Sequence, residues 1–446
     1  MVSGYVTTLA AALQVACSPE LGSLRFTGVS TDSRKIRPGE VFVALVGERF
    51  DGHAFIPQAM AQGSVLVISQ YPVAAPHLCV PDTLRAYQQI GRWWRSQFSL
   101  PVIAITGSAG KTSTKEMLAA ALSHYGSVLK SQANHNNDIG VTETLLALEP
   151  EHDFLVLEMA MRASGEIARL AQIAQPTHGI ITNIGMAHIG RLGSQQAIAQ
   201  AKCELLQEVP DIIAILNGED ELLLKTAKPM QRKTISFGLD HGDVRGKWDP
   251  DQQTVKVGSL TFPVPLPGRH QALNWMSVVA LIQSLTLDLS PLQAPIVLSE
   301  LNGRNQQYCL AGGIRILDET YNAAPEAMIA ALQLLKQTPA HRHWAVLGPM
   351  RELGDHAEKI YHQVGSMAAS LKLDYICLLD PKQEMKEFLT QLDSDSVRCF
   401  STAEELVRIL VNQVEPGDCL LFKASRSVEL ERILERFSQQ WGTPRS

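Results

Sequence analysis

The sequence predicts an α/β protein of three domains. The middle domain should hold a parallel or mixed sheet covered by helices, and the C-terminal one a Rossmann-like unit. Three observations carry this. Short apolar runs alternate with helical patterns between residues 102 and 237, and do so again between 314 and 422. The first run of the middle series opens directly onto a small-residue turn followed by a helical stretch. The chain is 446 residues long, and domains run to roughly 100–200 residues, so two or three fit. The expected boundaries are 1–99, 100–307 and 308–446.

The first block holds a turn-rich segment, Ser30-Thr31-Asp32-Ser33-Arg34. An apolar run at 41–46, the stretch Gly47-Glu48-Arg49-Phe50-Asp51-Gly52-His53, a helical segment and a short strand at 65–68 follow. Residues 96–101 read as a linker. The middle block begins with a strand at 102–105 and continues with strands at 154–157, 179–184, 212–216 and 234–237. Residues 245–267 switch to short alternating strands with Pro263, Pro265 and Pro267, and a helix is expected at 271–285. The third block opens after Gly303-Arg304, with strands at 314–317, 344–347, 375–379 and 419–422. In such a unit functional groups gather at strand C-termini, where Asp318, Gly348 and Lys423 stand.

Hydrophobic residues make up 45% and charged residues 19%, enough for several cores. The formal charge of −6 argues against a nucleic-acid-binding surface, so any phosphate must be gripped locally. No basic residue precedes Arg25, so the apolar patch at 9–16 lacks the flank of a signal peptide. The apolar runs are too short to span a bilayer. Cysteines 17, 79, 203, 309, 377, 399 and 419 form no CxxC pair and read as reduced thiols in or near cores. The expectation is a cytoplasmic monomer with no membrane insertion.

The chemistry concentrates in Thr106-Gly107-Ser108-Ala109-Gly110-Lys111-Thr112-Ser113. Glycines let backbone N–H groups close around phosphate oxygens, and the following helix N-terminus favours anions. Lys111 would reach the β- and γ-phosphates of ATP, and Thr112 would ligate Mg²⁺. The usual pattern has glycine at position 105, where this chain has Ile105, so the loop is a shortened variant. Glu158 ends the run Phe154-Leu155-Val156-Leu157. It is either a second magnesium ligand or a solvated strand end. His188 follows Asn183-Ile184-Gly185-Met186-Ala187, and a lone histidine is more often structural.

Taken with Ala201-Lys202-Cys203-Glu204 and the three-block layout, these motifs resemble the Mur ligase family over essentially the whole chain. Those enzymes are ATP-dependent amide ligases of peptidoglycan precursor synthesis. Asp32-Ser33-Arg34, residues 38–44 and Asp51-Gly52-His53 are similar to the UDP-sugar domain of the member that joins D-alanyl-D-alanine to UDP-N-acetylmuramoyl-tripeptide. Asn134-His135-Asn136-Asn137-Asp138-Ile139-Gly140 is similar to its central signature. Leu266-Pro267-Gly268-Arg269-His270 with Asn274 resembles its adenine-side segment, and residues 318–325 its third-domain entry. The pattern departs at Ala324, where relatives often carry Asn, at Pro349, where they often carry Asp, and at Ala424, where they often carry Gly.

The resemblance implies a mechanism and its residues. The γ-phosphate of ATP activates the tripeptide carboxylate as an acyl phosphate, which the amine of D-alanyl-D-alanine then attacks. Lys111 and Mg²⁺ on Thr112 and Glu158 would neutralise charge, making Lys111, Glu158, His188 and Lys202 the catalytic candidates. A second Mg²⁺ would bind His188 and a carbamylated Lys202; the ordinary alternative is a solvated helix lysine. Residues 106–113, Asn274, Arg304 and Asp318 would hold ATP, although Arg304 also fits a hinge arginine and Asp318 a turn. Ser33, Arg34, Asp51, His53, Asn134 and Asn137 would hold the UDP substrate, although Asp-Ser and Asp-Gly are also ordinary turn formers. Tyr321, Asn322, Lys423 and Arg426 would meet the acceptor, although the two cations also fit solvated charges.

Two alternatives stand beside this. One is the preceding ligase, which adds the third amino acid. Its Asp-Asn-Pro-Arg signature is absent, and Tyr321-Asn322 stands where it has an Ala-His pair. The other is a non-catalytic ATP-binding relative, against which the joint retention of Lys111, Thr112, Glu158, His188 and Lys202 speaks.

Overall fold

The structure is a computed structural model and describes residues 2–48, 50–298, 303–393 and 396–441. Arg49, part of the Gly47–His53 stretch, lies outside the described residues.

Four apolar residues and a threonine, mostly β-branched, make Val102–Thr106 a strand buried along its whole length. It is the pivot of a seven-stranded, all-parallel sheet. Phe154–Glu158 lies on one side of it, with Val128–Lys130 at that edge. His178–Ile181 lies on the other, followed by Ile213–Asn217, Thr234–Gly238 and Val244–Arg245. The chain therefore leaves the pivot in one direction and returns in the other. The crevice beyond Thr106, Glu158 and Ile181 is the topological switch point where open α/β sheets bind ligands. Residues 247–263 form a separate three-stranded antiparallel sheet. The helix Arg269–Ser284, buried over most of its length, packs against Lys111–Leu122 and the edge of the large sheet.

The third domain repeats this logic. Its six-stranded sheet runs in the order Gln306–Cys309, Arg315–Glu319, Cys419–Lys423, His343–Leu347, Tyr375–Leu379, Val397–Phe400. Only the first pairing is antiparallel. Period-2 reading missed that edge strand, whose side chains are mostly polar, and the expected boundary at 307/308 falls inside it. Register sets Glu319 opposite Lys423 at the C-terminal edge.

The first domain is a four-stranded parallel sheet, Gly28–Ser30, Glu40–Val43, Leu66–Ser69 and His77–Cys79. It is tied to the middle domain by Val2 N–H to Leu146 O at 3.0 Å and by Trp94 Nε1 to Leu148 O at 3.1 Å. Arg95, buried at the end of Thr83–Arg95, donates to Ala174 O at 3.2 Å and Phe98 O at 2.7 Å. Among the described residues no helix is long and apolar enough to cross a membrane. All seven cysteines are free; Cys203, Cys377 and Cys419 are buried as expected, whereas Cys79, Cys309 and Cys399 are exposed.

Candidate active site

The loop after Val102–Thr106 is held in a shape that demands glycine twice. Gly107 has φ +151° and Gly110 φ +82°, both outside ordinary L-residue territory. A Cβ on Gly107 would stand 1.9 Å from Thr182 Oγ1, and one on Gly110 2.7 Å from Asn274 Oδ1. Asn183 locks the turn from the neighbouring strand end. Its Oδ1 accepts from Ala109 N at 3.0 Å, its Nδ2 donates to Ala109 O at 3.1 Å, and its carbonyl accepts from Ser108 N at 3.0 Å. Lys111 Nζ lies back across the loop and donates to Gly107 O at 2.8 Å. Burial pushes the Lys111 pKa down, Glu158 opposes that, and Arg304 adds to it.

Glu158 is 1% exposed, so it is not a solvated strand end. Its Oε2 accepts from Thr112 Oγ1 at 2.7 Å and its Oε1 from Asn136 Nδ2 at 2.8 Å. Lys115, fully buried one helical turn beyond Lys111, donates to Ser131 O at 3.0 Å and Ala133 O at 3.3 Å. Its Nζ stands 4.0 Å from Glu158 Oε2. Sequence reading named neither Asn136 nor Lys115 as a site residue. The Thr112–Glu158 oxygen pair suits adjacent ligands of a small hard cation, and the Arg304 guanidinium already donates to Thr112 Oγ1. Among the described residues no three His, Cys, Asp or Glu form a metal cage. An ion on this pair would be completed by phosphate oxygens and water, as is usual for Mg²⁺.

His188 precedes the short helix Ile189–Leu192 with a left-handed backbone, φ +67°. Its Nδ1 is bonded to Glu352 Oε2 of the third domain, which leaves Nε2 for a ligand. Burial lowers its pKa, and Glu352 works against that. Lys202, on Gln195–Glu208, is 2% exposed and does not line the cleft, although its charge acts on His188. Burial, with Lys111 second, holds its pKa well below the usual lysine range, which overturns the solvated-lysine alternative. Glu204, in the same segment, caps Glu166–Ala174 by accepting from Gly165 N at 2.7 Å and Ala168 N at 3.1 Å.

Lys111, Thr112, Asn136, Glu158, Asn183 and His188 line one cleft of about 740 Å³ between the middle and third domains, whereas Lys115, Lys202, Glu204 and Glu352 do not. Arg304 spans it, its guanidinium 3.7 Å over the Tyr321 ring. A polar chain joins its walls: Asn274 to Gln271 at 3.1 Å, Gln271 to Asn305 at 2.8 Å, Asn305 to Ser113 at 3.0 Å. Tyr321 and Asn322 line the cleft, as do Asn134 and Asn137. Asn137 also caps Asp138–Leu146 through Gly140 N at 3.0 Å.

Several expected residues are placed differently. Asp318 Oδ1 is engaged by Thr320 N at 3.0 Å and Thr320 Oγ1 at 2.7 Å, and burial raises its pKa. It is a turn residue in this arrangement, and its neighbour Glu319 lines the cleft instead. Lys423 is no solvated charge: it is 2% exposed, 3.3 Å from Glu319 Oε2 and 3.0 Å from Asn322 O. Arg426 is exposed and pairs with Glu431 at 2.6 Å.

Ser33, Arg34, Asp51 and His53 stand in the first domain, outside the cleft. Ser33 Oγ donates to Gln58 Oε1 at 2.9 Å, and Arg34 is ion-paired with Asp32 at 2.9 Å. Both His53 ring nitrogens are engaged, Nδ1 with Asp51 Oδ1 at 2.5 Å and Nε2 accepting from Gln70 N at 2.9 Å. The buried ring also stacks on Tyr71 at 4.2 Å, so His53 holds two loops together.

Comparison with known proteins agrees with this architecture. The Mur ligase middle domain matches residues 105–282, the Mur ligase glutamate ligase domain 303–426, and the Mur ligase family catalytic domain 25–123. The chain is 45% identical over 420 residues to the UDP-N-acetylmuramoyl-tripeptide–D-alanyl-D-alanine ligase of Synechocystis sp., covering 93% of this chain and 92% of that one. It is 33% identical to the Bacillus subtilis enzyme of the same name, covering 94% of each. Among solved structures, MurF from Acinetobacter baumannii superposes with a TM-score of 0.89 at 32% identity, covering 98% and 99%. MurF ligase from Thermotoga maritima in complex with ADP gives 0.82 at 30%, covering 93% and 97%. With all three blocks matched in order, and relatives this similar along nearly their full length, the chain belongs to the Mur ligase family.

Proposed function

We propose that this chain joins D-alanyl-D-alanine to UDP-N-acetylmuramoyl-tripeptide at the cost of one ATP, giving the pentapeptide precursor of peptidoglycan. The observation that carries this is the meeting of Lys111, Thr112 and Glu158 with Arg304 across one cleft. It joins a phosphate cradle on the middle domain to a cation at the edge of the third. The curated relatives bear that ligase name, and the Thermotoga maritima structure holds ADP.

A carboxylate is a poor electrophile, so it is first made an acyl phosphate. The substrate carboxylate attacks the γ-phosphorus as the bond to the ADP oxygen breaks. Two anions must approach, and charge neutralisation does most of the work. Lys111 and the backbone N–H groups of 110–112 hold the phosphates, on a turn whose Ser108 and Ala109 N–H groups are tied to Asn183, and Asn274 stands behind Gly110. Arg304 meets the transferred group from the other side. Thr112 and Glu158 would hold one Mg²⁺, which would supply further positive charge to the phosphates. His188 Nε2 and Lys202, the latter as a carbamate, would hold a second. The acceptor amine, having lost a proton to solvent, attacks the acyl carbon, and phosphate leaves with the bonding pair. Tyr321, Asn322 and Arg426 face the acceptor. Asn134 and Asn137 face the UDP-linked substrate, whose uridine end lies against Ser33 and Arg34. Asp51, at the surface of that domain, holds the buried His53 ring in place.

Phosphate release in steady state tests the reading. Release should require ATP, tripeptide precursor and D-alanyl-D-alanine together. Release with a free amino acid and the dipeptide precursor would overturn it, as would none with any combination.

A further inference from the structure

Two non-glycine residues with left-handed backbone face each other across the domain junction. His188 has φ +67° on the middle domain and Glu352 φ +61° on the third. Such conformations persist where the surroundings hold them in place, and they cluster at functional sites. Here the surroundings are each other's segment. Glu352 Oε2 takes His188 Nδ1, its Oε1 stands 3.3 Å from Arg191 Nε, and its carbonyl accepts from Gly190 N at 2.9 Å. His356 Nε2 meets Gly193 O at 3.1 Å. The seam admits no side chain between Gly190 and Gly354: a Cβ on Gly190 would stand 2.5 Å from Gly354 N, and one on Gly354 2.7 Å from Gly190 Cα. Middle-domain residues 188–193 and third-domain residues 352–356 thus form one interlocked contact.

We infer that Glu352 is a positioning residue: it fixes His188 as a Nδ1–H tautomer with Nε2 turned to the cleft, and does so only when the third domain docks. An imidazole that ligates through one nitrogen is oriented by what its other nitrogen donates to, and carboxylates commonly serve. The unusual feature here is that the orienting carboxylate belongs to another domain. Until the seam forms, the imidazole is free to rotate. Domain docking and completion of the His188 site are then one event, so phosphoryl transfer is withheld until the third domain is in place. This rests on the proposal that His188 is a metal ligand.

The test uses the full chain with a non-hydrolysable ATP analogue and tripeptide precursor, with Mn²⁺ as the probe. Spin-resonance titration should count two bound ions in the parent and one in Glu352→Ala. The Mg²⁺ concentration for half-maximal phosphate release should rise about tenfold or more in Glu352→Ala. Glu352→Gln keeps an oxygen to accept from Nδ1–H and should recover most of both. Gly190→Ala, which leaves His188 and Glu352 intact but wedges the seam open, should match Glu352→Ala in both readouts. ADP binding, which uses the middle-domain loop, should stay within about twofold in all three variants. Two ions and parental Mg²⁺ dependence in Glu352→Ala overturn the inference. If His188→Ala meanwhile drops to one ion, the ligand reading survives that failure. If His188→Ala also keeps two, both fall together.

Discussion

Thr112 Oγ1 donates to Glu158 Oε2 at 2.7 Å, joining the first turn of the phosphate-loop helix to the end of the adjacent parallel strand. Two residues 46 positions apart therefore present neighbouring oxygens at the switch point of the sheet. Asn136 fixes the other carboxylate oxygen and Arg304 reaches the hydroxyl from the far side of the cleft. A buried carboxylate with this many donors is held ready for a cation.

Removing that charge without changing shape tests the arrangement. Glu158→Gln should lower kcat by about 10²–10³-fold, the scale for losing one preorganised electrostatic group. It should also raise the Mg²⁺ requirement. Titration of phosphate release against Mg²⁺ at saturating substrates measures both. A drop smaller than tenfold at every Mg²⁺ concentration would remove Glu158 from the machinery.

Lys111→Ala should abolish ATP turnover and leave the fold standing. Among the described residues the half-buried Lys111 Nζ bonds to Gly107 O alone, and burial already disfavours its charge. Losing it should therefore change unfolding free energy by no more than about 1 kcal/mol. Denaturant unfolding alongside turnover separates the two effects. Turnover within tenfold of the parent would sink the phosphate-loop assignment.

The parts of the site written in contiguous residues were legible in the sequence. A buried strand, two glycines, lysine and threonine spell a phosphate loop because the chemistry needs them in that order, and Glu158 stood out because a carboxylate ended an apolar run. Asn183 and Asn136 lie in segments the sequence singled out, but their roles depend on partners 74 and 22 residues away, so neither stood out as a site residue. Lys115 did not stand out in the sequence; only the Ser131 and Ala133 carbonyls that accept from it reveal a buried lysine at the site. At His53 the local pattern Asp-Gly-His favoured a turn and only the resemblance suggested a ligand role; in the structure the ring meets Asp51 and accepts from Gln70 N. The edge strand Gln306–Cys309 escaped because one face of it meets solvent and its residues are polar.

His178 should give the protein an acid-sensitive fold. The residue is 6% exposed, Nδ1 lies 2.9 Å from Thr177 Oγ1, and Nε2 is buried without a hydrogen-bond partner among the described residues. Burial, helped by Lys233, lowers its pKa from 6.5 to about 4. The unfolded chain binds a proton below pH 6.5 that the folded chain refuses. Its contribution is therefore fully present above 6.5 and is lost as pH falls towards 4, by about 3 kcal/mol. His178→Gln should flatten this limb. Denaturation midpoints measured from pH 7 to 4 check it; an unchanged acid limb in the variant would show that other groups set it.

Lys202 is the group whose modification matters most for the proposed chemistry. As an ordinary ammonium it repels a metal ion rather than binding one. Its surroundings favour the neutral amine: burial first, then the charge of Lys111, lower its pKa well below the usual lysine range. The neutral amine adds carbon dioxide, forming an N–C bond and releasing one proton, and the product is a carboxylate on a long arm. Glu326, whose Oε1 accepts from Met186 N at 2.6 Å, is a carboxyl whose charge acts on Lys202 in the opposite sense, and burial raises the Glu326 pKa. Lys202→Ala should lose most activity, by about 10²-fold or more, and millimolar acetate should restore part of it by filling the vacated ligand position. Lys202→Arg should be inactive with or without acetate, because a guanidinium cannot be carbamylated and occupies the space. Intact mass of the parent under bicarbonate, compared with carbon-dioxide-free buffer, should show the adduct, and its loss should track loss of activity. Near-parental turnover in Lys202→Ala without added carboxylate would mean that the carbamate plays no part in the reaction.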